Sequence, residues 1–507
     1  MIFFDEDCNA RFHGVEAGTM TGDDLDGLVD HLKDTGVKYF IVGVNGLGAC
    51  FPSRIMQPVL EGFDMKKGLF QEEGKIEAWP YRFRANMTVL QEQGIDSNQY
   101  LLDRAREKGL APMVTIRMND QHGNENAKGP WPLRWKLWTD RPDLRISRMY
   151  PPGAFDYAKE EVRRTFLAFV LETMEFYDAD GYVIDWMRHL PYFDDGTGET
   201  HAPLLTEMMT KIREGARKLE DRRRHSIQII ARIPSDIQRA LYYGMDGVEW
   251  ANRKLVDRLV PSPKYIRDYT IDAASWRNAI HDKNFPVTIC IEHAYQPYPG
   301  YPRNAAQGVW TFDPPTVKRI PFVRGAAWNA FHRGSDGIYL FNFMWMRNNP
   351  EFRAIFEDCR SVDALRGKER AYEITYNDLD MSDDDFFSGW RAGGSDTYFG
   401  KWRGGLQKQG KYPYQLPRFL HPGTSEKFHI FTGPVSDGKM LKLYFDKVPE
   451  SMKVTLNGIP CVFRQGGWEA PVSAIPGNEA NIEVFNPEEQ TCEIERVFLS
   501  VPGFVEQ

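Results

Sequence analysis

Short apolar runs alternate with longer amphipathic stretches along the first two-thirds of the chain. The runs at 38–44 and 112–118 carry apolar residues at nearly every position, whereas 21–36 and 156–177 repeat them at helical spacing. Strands that are apolar on both faces are typical of parallel sheets covered by helices. The pattern therefore predicts parallel strands that alternate with helices.

Eight such strands are predicted before residue 368. They cover residues 2–5, 38–44, 112–118, 182–184, 226–233, 256–261, 286–293 and 336–343. Eightfold strand–helix alternation is the signature of a (β/α)8 TIM barrel, an α/β fold. A doubly wound open sheet is the alternative.

The remaining residues, 369–507, follow a different pattern. Short segments with alternating polarity, such as 429–432 and 441–445, are separated by Gly, Pro and Asn turns. This pattern predicts a C-terminal antiparallel β-sandwich. We expect a catalytic barrel at 1–368 and an accessory sandwich domain at 369–507, since the latter carries no cluster of acidic residues.

Composition narrows the possible partners. The net charge of −8 argues against nucleic-acid binding, and no apolar run approaches the ~20 residues of a membrane span. The N-terminal residues do not resemble a signal peptide, which predicts a cytoplasmic protein, or a periplasmic one if a signal peptide has been removed. The six cysteines are scattered without a C-x-x-C pair, so free thiols are expected and no cofactor is predicted. The oligomeric state is not predicted.

Two carboxylates end predicted strands. Asp185 follows strand 4 and Glu292 ends strand 7. Active sites of (β/α)8 barrels lie at the carboxyl ends of the strands. Two carboxylates that flank one bond are what glycoside hydrolysis requires, so we predict Asp185 and Glu292 as a catalytic pair. The alternatives are an ion pair between Asp185 and Arg188, and one between Glu292 and an arginine at the barrel mouth.

Three segments carry a resemblance to a known group. The run from Asp180 to His189 (DGYVIDWMRH), together with 117–122 (RMNDQH) and 337–343 (GIYLFNF), resembles bacterial glycoside-hydrolase-like barrel proteins. The resemblance covers most of residues 1–365. Carboxylates on strands 4 and 7 are also the pattern of the clan of retaining barrel glycosidases. The resemblance implies a glycosidase that acts on an oligo- or polysaccharide, with retention of configuration.

Polar and aromatic residues near the strand ends are predicted to bind the sugar. They are Asp5, Asp7, Asn119, Asp120, His122, Trp186, His293, Tyr295, Asn342 and Trp345. Capping and solvation are the alternative for Asp5 and Asp7, and an Asx turn for Asn119 and Asp120.

Basic residues gather near the ends of strands 3, 4 and 5. They are Arg117, Arg188, His189 and Arg232. Guanidinium groups bind carboxylates and sulfates through paired hydrogen bonds, which suggests a uronate or a sulfated sugar. The alternative is that each arginine pairs with an acid of the barrel.

Other functions remain open on the same fold. A barrel that binds carbohydrate without cleaving it is one, and a polysaccharide lyase is another. A metal-dependent hydrolase is the third, since His122, His189 and His293 all fall at strand ends and three histidines with a carboxylate can hold zinc.

Overall fold

The computed structural model describes the chain except residues 68–70, 73–74, 77, 121–132, 147–152, 195, 264–266, 294–319, 347–350, 376–414, 436–439 and 504–507. Eight parallel strands form its first sheet. They are β1 (Ile2–Glu6), β2 (Val37–Gly43), β3 (Ala111–Arg117), β4 (Gly181–Asp185), β5 (Gln228–Pro234), β6 (Arg258–Ser262), β7 (Ile289–Glu292) and β8 (Ile338–Phe341).

The sheet closes into a barrel. Its hydrogen-bonded order is β6-β5-β4-β3-β2-β1-β8-β7. The two end strands meet at Leu259, whose N–H donates to the Pro286 carbonyl at 3.2 Å and whose carbonyl accepts from the Thr288 N–H at 3.0 Å. The predicted (β/α)8 barrel is therefore confirmed.

Helices connect the strands. They are α1 (Gly22–Asp30), α2 (Ala78–Glu92), α3 (Ser97–Glu107), α4 (Lys136–Asp140), α5 (Glu160–Phe176), α6 (Gly198–Arg223), α7 (Ile237–Tyr242), α8 (Gly247–Asn252), α9 (Ala273–Ala279), α10 (Ile320–His332), α11 (Phe352–Asp358) and α12 (Val362–Leu365). Local sequence explains several starts: Thr21 and Asp24 form a capping box, and Asp96 accepts from the Asn98 and Gln99 N–H groups. Helix α2 is an addition to the predicted elements.

The described residues of the first part of the chain also contain 3-10 turns and a small hairpin. The 3-10 turns cover Ala10–Phe12, Met65–Lys67, Pro142–Leu144 and Phe343–Met346, and the hairpin pairs Gln71–Glu72 with Lys75–Ile76. Within the described ranges, no helix has the length and apolar character that crossing a bilayer requires.

The interior of the barrel has an apolar layer and a charged layer. The apolar layer includes Val183, Ile230 and Cys290. Side chains alternate across a strand, so the residues two positions further on, Asp185, Arg232 and Glu292, point into the same interior. Asp5 and Arg117 extend this charged layer on β1 and β3. The layer lies at the carboxyl ends of the strands, where a barrel enzyme places its chemistry.

The C-terminal strands are antiparallel, as predicted. They are β9 (Arg370–Glu373), β10 (Arg418–Leu420), β11 (Ser425–Phe431), β12 (Met440–Phe445), β13 (Lys453–Leu456), β14 (Ile459–Pro460), β15 (Val462–Arg464), β16 (Gly467–Pro471), β17 (Glu479–Phe485), β18 (Cys492–Ile494) and β19 (Val497–Val501), with a 3-10 turn at Val472–Ala474. They form sheets ordered β9-β19-β12-β16-β15 and β11-β17-β13-β14, with β10 paired to β18. This arrangement is a β-sandwich.

Helix α10 of the barrel packs closely against the sandwich. A Cβ atom placed on Gly325 would lie 2.2 Å from the Ala371 carbonyl oxygen of β9, so only glycine allows this approach. The Trp328 indole N–H donates to the Pro434 carbonyl at 3.0 Å, and the Asn329 amide donates to the Phe431 carbonyl at 2.7 Å. The two domains are therefore joined by direct hydrogen bonds.

Candidate active site

Asp185 is bound by an arginine of the neighbouring strand. It is paired in register with Arg232, whose Nη1 donates to Asp185 Oδ1 at 3.1 Å and to Oδ2 at 3.2 Å. The Met187 N–H donates to Oδ1 at 2.9 Å. Both side chains of the ion pair are almost fully buried. The partner of Asp185 is thus Arg232 rather than the Arg188 considered from the sequence.

Arg232 is held from several sides. Its Nε donates to Ser262 Oγ at 3.0 Å, and its guanidinium carbon lies 3.7 Å from the centroid of the Phe341 ring. Burial by itself would lower the pKa of Arg232, but the charge of Asp185 more than reverses this effect and leaves that pKa raised. The arginine is therefore a fixed positive charge between Asp185 and the wall that carries Glu292.

Glu292 has one oxygen bound and one without a partner. Its Oε1 accepts from the His293 N–H at 3.0 Å and from Asn342 Nδ2 at 2.8 Å. Its Oε2 is buried and has no hydrogen-bond partner within the described part of the chain. Burial raises the pKa of Glu292 to about 7, against the lowering effect of Arg232, Asn342 and Arg188. Near neutral pH this carboxyl can therefore hold a proton and release it.

The backbone at Asn342 supports this arrangement. Asn342 follows β8 with a φ of 63°, in the left-handed region that asparagine tolerates better than most residues. This turn carries its side-chain amide to Glu292. The sequence prediction placed Asn342 against the substrate, whereas the structure places its Nδ2 against the Glu292 carboxyl.

Asp5 is a third carboxyl of the charged layer. The Tyr339 hydroxyl of β8 donates to Asp5 Oδ2. Burial raises the pKa of Asp5 to about 7; the hydrogen bond from Tyr339 opposes the shift and the negative charge of Asp185 adds to it. Asp5 is buried, so the predicted alternative of capping and solvation is wrong for this residue.

Asp7 and Asp120 both pair with Arg117. Arg117 Nη2 donates to Asp7 Oδ2 at 2.7 Å, and Nη1 donates to Asp120 Oδ2 at 3.0 Å. Burial would raise the pKa of Asp7, but the charges of Arg117 and Arg188 outweigh burial and hold that pKa well below its ordinary value. His189 Nδ1 lies 3.8 Å from Asp120 Oδ1. These contacts make a second charged cluster beside the first.

The pairing of arginines bears on the predicted basic wall. Arg117 and Arg232 each bind buried acids of the barrel, which is the structural alternative considered from the sequence. Arg188 lies over Phe341, with its guanidinium carbon 5.6 Å from the ring centroid. Arg117 and Arg232 are thus held in internal ion pairs, and His189 adjoins the acid Asp120.

Two predicted sugar-binding residues serve the packing instead. Trp186 is fully buried and lies edge-on to Tyr157 and Tyr192, so its prediction as a sugar platform is wrong. It fails because Trp186 is adjacent to the inward-facing Asp185 and therefore points outward to the helices. Asn119 is also fully buried: its amide donates to the Pro191 carbonyl at 3.1 Å and accepts from the Phe155 N–H at 3.3 Å, which braces two loops.

The remaining predicted residues differ in how far the structure describes them. His293 is buried, with its ring 5.2 Å from that of Phe343. His122 and Tyr295 lie outside the described residues, and so does the side chain of Trp345. Among the described residues, no group of three or more His, Cys, Asp or Glu side chains is placed to hold a metal ion.

Several residues of the site were not predicted. Tyr339, Phe341 and Ser262 contact Asp5 or Arg232, and the Asn45 amide bonds to both the N–H and the carbonyl of Arg117. Tyr339 and Phe341 occupy alternate positions of an apolar strand, so the period-2 pattern could have placed them inside the barrel. Nothing in the sequence marks Ser262 or Asn45.

A cavity lies beside the second charged cluster. It has a volume of about 310 Å³ including open solvent, and its lining includes Arg117, Asp120, Trp135, Trp138 and Phe155. Neither Asp185 nor Glu292 is part of this lining. The cavity therefore adjoins the charged layer without containing the carboxylate pair.

Comparisons with known proteins find likeness only among solved structures. No protein-family profile matches the chain, and no curated protein matches its sequence. An alpha-L-fucosidase isoenzyme 2 from Paenibacillus thiaminolyticus is 10% identical, with a TM-score of 0.43 over 71% of this chain and 48% of that one. This chain therefore spans about half the length of the fucosidase.

Two further structures are similar at the same level. The maltogenic alpha-amylase AmyB from Thermotoga neapolitana is 12% identical, with a TM-score of 0.39 over 100% of this chain and 99% of that one. The PgaB (BpsB) glycoside hydrolase domain from Bordetella bronchiseptica is 10% identical, with a TM-score of 0.42 over 71% and 98%. Identities and TM-scores this low say nothing of the chemistry of this chain.

Proposed function

We propose that the protein is a glycoside hydrolase in which Glu292 is the general acid and base and Asp185 is the second carboxylate. The observation that carries the proposal is the hydrogen bonding, burial and raised pKa of the Glu292 carboxyl. One of its oxygens is fixed by two donors, the other is buried without a partner in the described residues, and its pKa is raised to about 7. A general acid needs a proton near the operating pH and an oxygen that is free to deliver it.

The two carboxylates divide the work by their environments. Protonated Glu292 donates to the glycosidic oxygen as the bond between that oxygen and the anomeric carbon breaks. Asp185, kept beside the Arg232 guanidinium, attacks the anomeric carbon and forms a glycosyl ester. Water then attacks the same carbon, gives a proton to Glu292, and releases Asp185 as carboxylate. This is the retaining course, which needs carboxyl groups about 5–5.5 Å apart; inversion needs about 6.5–9.5 Å.

Asp5 fits a supporting role in this scheme. It belongs to the same charged layer and is held by Tyr339. A neutral carboxyl can both donate to and accept from a sugar hydroxyl. We assign Asp5 to substrate binding rather than to the bond-breaking step.

The charge of the sugar is a separate part of the proposal. Arg117 and Arg232 bind barrel acids, and His189 lies 3.8 Å from Asp120. The charge of Arg188 lowers the pKa of both Asp7 and Glu292, so Arg188 adjoins the candidate site and is the residue at which we test a preference for a uronate or a sulfated sugar. Comparing a neutral oligosaccharide with its uronate counterpart, in wild type and in Arg188→Met, tests this point. Equal turnover of both sugars by both proteins would remove the anionic preference.

A barrel that binds carbohydrate without cleaving it is the second candidate. The observation in its favour is that Asp185 is almost fully buried and its two oxygens already contact Arg232. Both candidates predict binding of the sugar, but only the hydrolase predicts that bonds are broken.

A screen of oligosaccharides with sugar release as the readout separates the two candidates. For a hydrolase, Glu292→Gln should lower turnover by about 10²–10⁴-fold while sugar binding persists. Asp358→Asn, which removes the partner of Arg324 on the outer helices, is a matched control that should keep turnover. Sugar binding without release of product, in wild type as in Glu292→Gln, would favour the binding protein.

A further inference from the structure

A line of contacts runs from the C-terminal sandwich to Glu292. It begins at Glu373, the last residue of β9, which has no exposed side-chain surface. Arg267, in the segment after β6, is equally buried, and its Nη1 donates to Glu373 Oε1 at 2.6 Å. The first strand of the sandwich thus places a buried carboxylate against the barrel segment that follows β6.

The other arm of Arg267 reaches the residue next to the acid. Arg267 Nη2 donates to the His293 carbonyl at 3.0 Å. The N–H of the same residue, His293, donates to Glu292 Oε1 at 3.0 Å. Fixing the carbonyl of His293 restricts the backbone that aims its N–H, so Arg267 acts on Glu292 through one residue.

Glu373 is itself oriented from other directions. The Tyr269 hydroxyl donates to Oε1 at 3.2 Å, and Arg496 Nη2 of the sandwich lies 3.5 Å from Oε2. Burying an ion pair costs desolvation energy that its attraction often only balances, so such a pair is weak evidence for a stabilising role. A positional role accounts for a buried pair with this geometry.

We infer that Glu373 and Arg267 are positioning residues that hold the His293 backbone, and through it Glu292, in the geometry for proton transfer. The inference rests on the role of Glu292 proposed above. It assigns to the sandwich a part in the active site, where the sequence predicted an accessory domain. The barrel alone would lack the carboxylate that orients Arg267.

Loss of the contacts of Glu373 and Arg267 should change the pKa of Glu292 in one direction. Arg232, Arg188 and the Asn342 amide all favour its charged form, and none of them contacts Glu373 or Arg267 in the hydrogen bonds described above. The His293 N–H also favours the charged form. Weakening that one hydrogen bond should therefore raise the pKa of Glu292.

The test follows this titration in the full-length protein by infrared difference spectroscopy, with Glu292→Gln to assign the carboxyl band. Glu373→Met combined with Arg267→Met removes both charges of the pair, which is often tolerated, and it should move the titration of Glu292 upward by about half a pH unit or more. Glu373→Gln leaves Arg267 as an unpaired cation that favours charged Glu292, so its upward shift should be smaller than that of the double variant. Asp358→Asn breaks a partly buried pair with Arg324 that shares no hydrogen bond with Glu373 or Arg267, and it should leave the titration unchanged.

Kinetics add a second readout. Glu373→Gln should lower kcat by about tenfold or more, as misplacement of a catalytic group does, with KM changed by less than about twofold. A titration and a kcat equal to those of wild type would overturn the inference, even if the variant were less stable. Absence of turnover in wild type would count against the proposed glycosidase alone, since the infrared titration would still decide whether Glu373 positions Glu292.

Discussion

Arg232 Nη1 lies 3.1 Å from one oxygen of Asp185 and 3.2 Å from the other, and both side chains are almost completely buried. The two residues lie opposite each other on β5 and β4, in the charged layer of the barrel. Their pairing explains how a carboxylate can stand in an apolar interior. It also gives Asp185 a different environment from Glu292. The effect of burial on the pKa of Glu292 is only partly offset by neighbouring charges and hydrogen bonds, so that pKa stays raised.

Removing the arginine should destabilise the fold. Arg232→Met leaves Asp185 buried without its cation, which should lower the free energy of unfolding by about 3–5 kcal/mol. Urea denaturation at neutral pH measures this loss. The double variant Arg232→Met with Asp185→Leu should recover much of it, because no unpaired charge remains. A single variant as stable as wild type would show that Asp185 does not depend on Arg232.

Asp5 should make stability depend on pH. Burial raises its pKa in the folded protein from 3.8 to about 7, so the folded state binds its proton more tightly than the unfolded state does. The contribution of Asp5 to stability is therefore fully present below about pH 4 and is lost as pH rises towards 7. Asp5→Asn should be more stable than wild type at pH 7.5 and lose this advantage at pH 4.5.

Unfolding measurements over the same pH range on a Tyr339 variant give a control for the titration of Asp5. Tyr339→Phe removes the hydroxyl that favours the charged form of Asp5, so it should raise the pKa of Asp5 in the folded protein further and extend the loss of stability to higher pH. A constant difference in stability between Asp5→Asn and wild type across this range would contradict the raised pKa of Asp5.

The docking of the sandwich should depend on Gly325. An alanine there would place its Cβ 2.2 Å from the Ala371 carbonyl oxygen, so α10 and β9 would have to move apart. We expect Gly325→Ala to cost about 1–3 kcal/mol in thermal or urea unfolding. Gly27→Ala in α1 is the matched control, since nothing lies within 4 Å of its Cβ, and it should stabilise by about 0.5–1 kcal/mol. Equal effects of both alanines would contradict the close packing.

The barrel could be predicted because its strands are apolar on both faces, as at 38–44, and because eight of them alternate with helices, although a doubly wound open sheet fits the same pattern. Helix α2 could not, because it buries polar residues such as Arg84 and Asn86 and lacks a clean apolar stripe. The positions of Asp185 and Glu292 at strand ends were also readable. The partner of Asp185 was not, because strand register brings together residues that are 47 positions apart.

The outcome for Trp186 has a simpler cause. With Asp185 facing the interior, its neighbour must face the helices, and the alternation of the strand contains that information. The prediction from sequence weighed the chemistry of tryptophan more heavily than its position. Tyr339 was missed in the same way: strand alternation turns it into the barrel, but its position in the strand was not used.

The most direct test of the account compares two substrates in Glu292→Gln. One is an aryl glycoside whose leaving group departs without a proton, and the other is the matching oligosaccharide, whose sugar alkoxide requires one. If Glu292 is the general acid, turnover of the oligosaccharide should fall by about 10²–10⁴-fold, whereas formation of the glycosyl intermediate from the aryl glycoside should be nearly unchanged. Equal losses on both substrates, or no loss on either, would contradict the role of Glu292 as the proton donor.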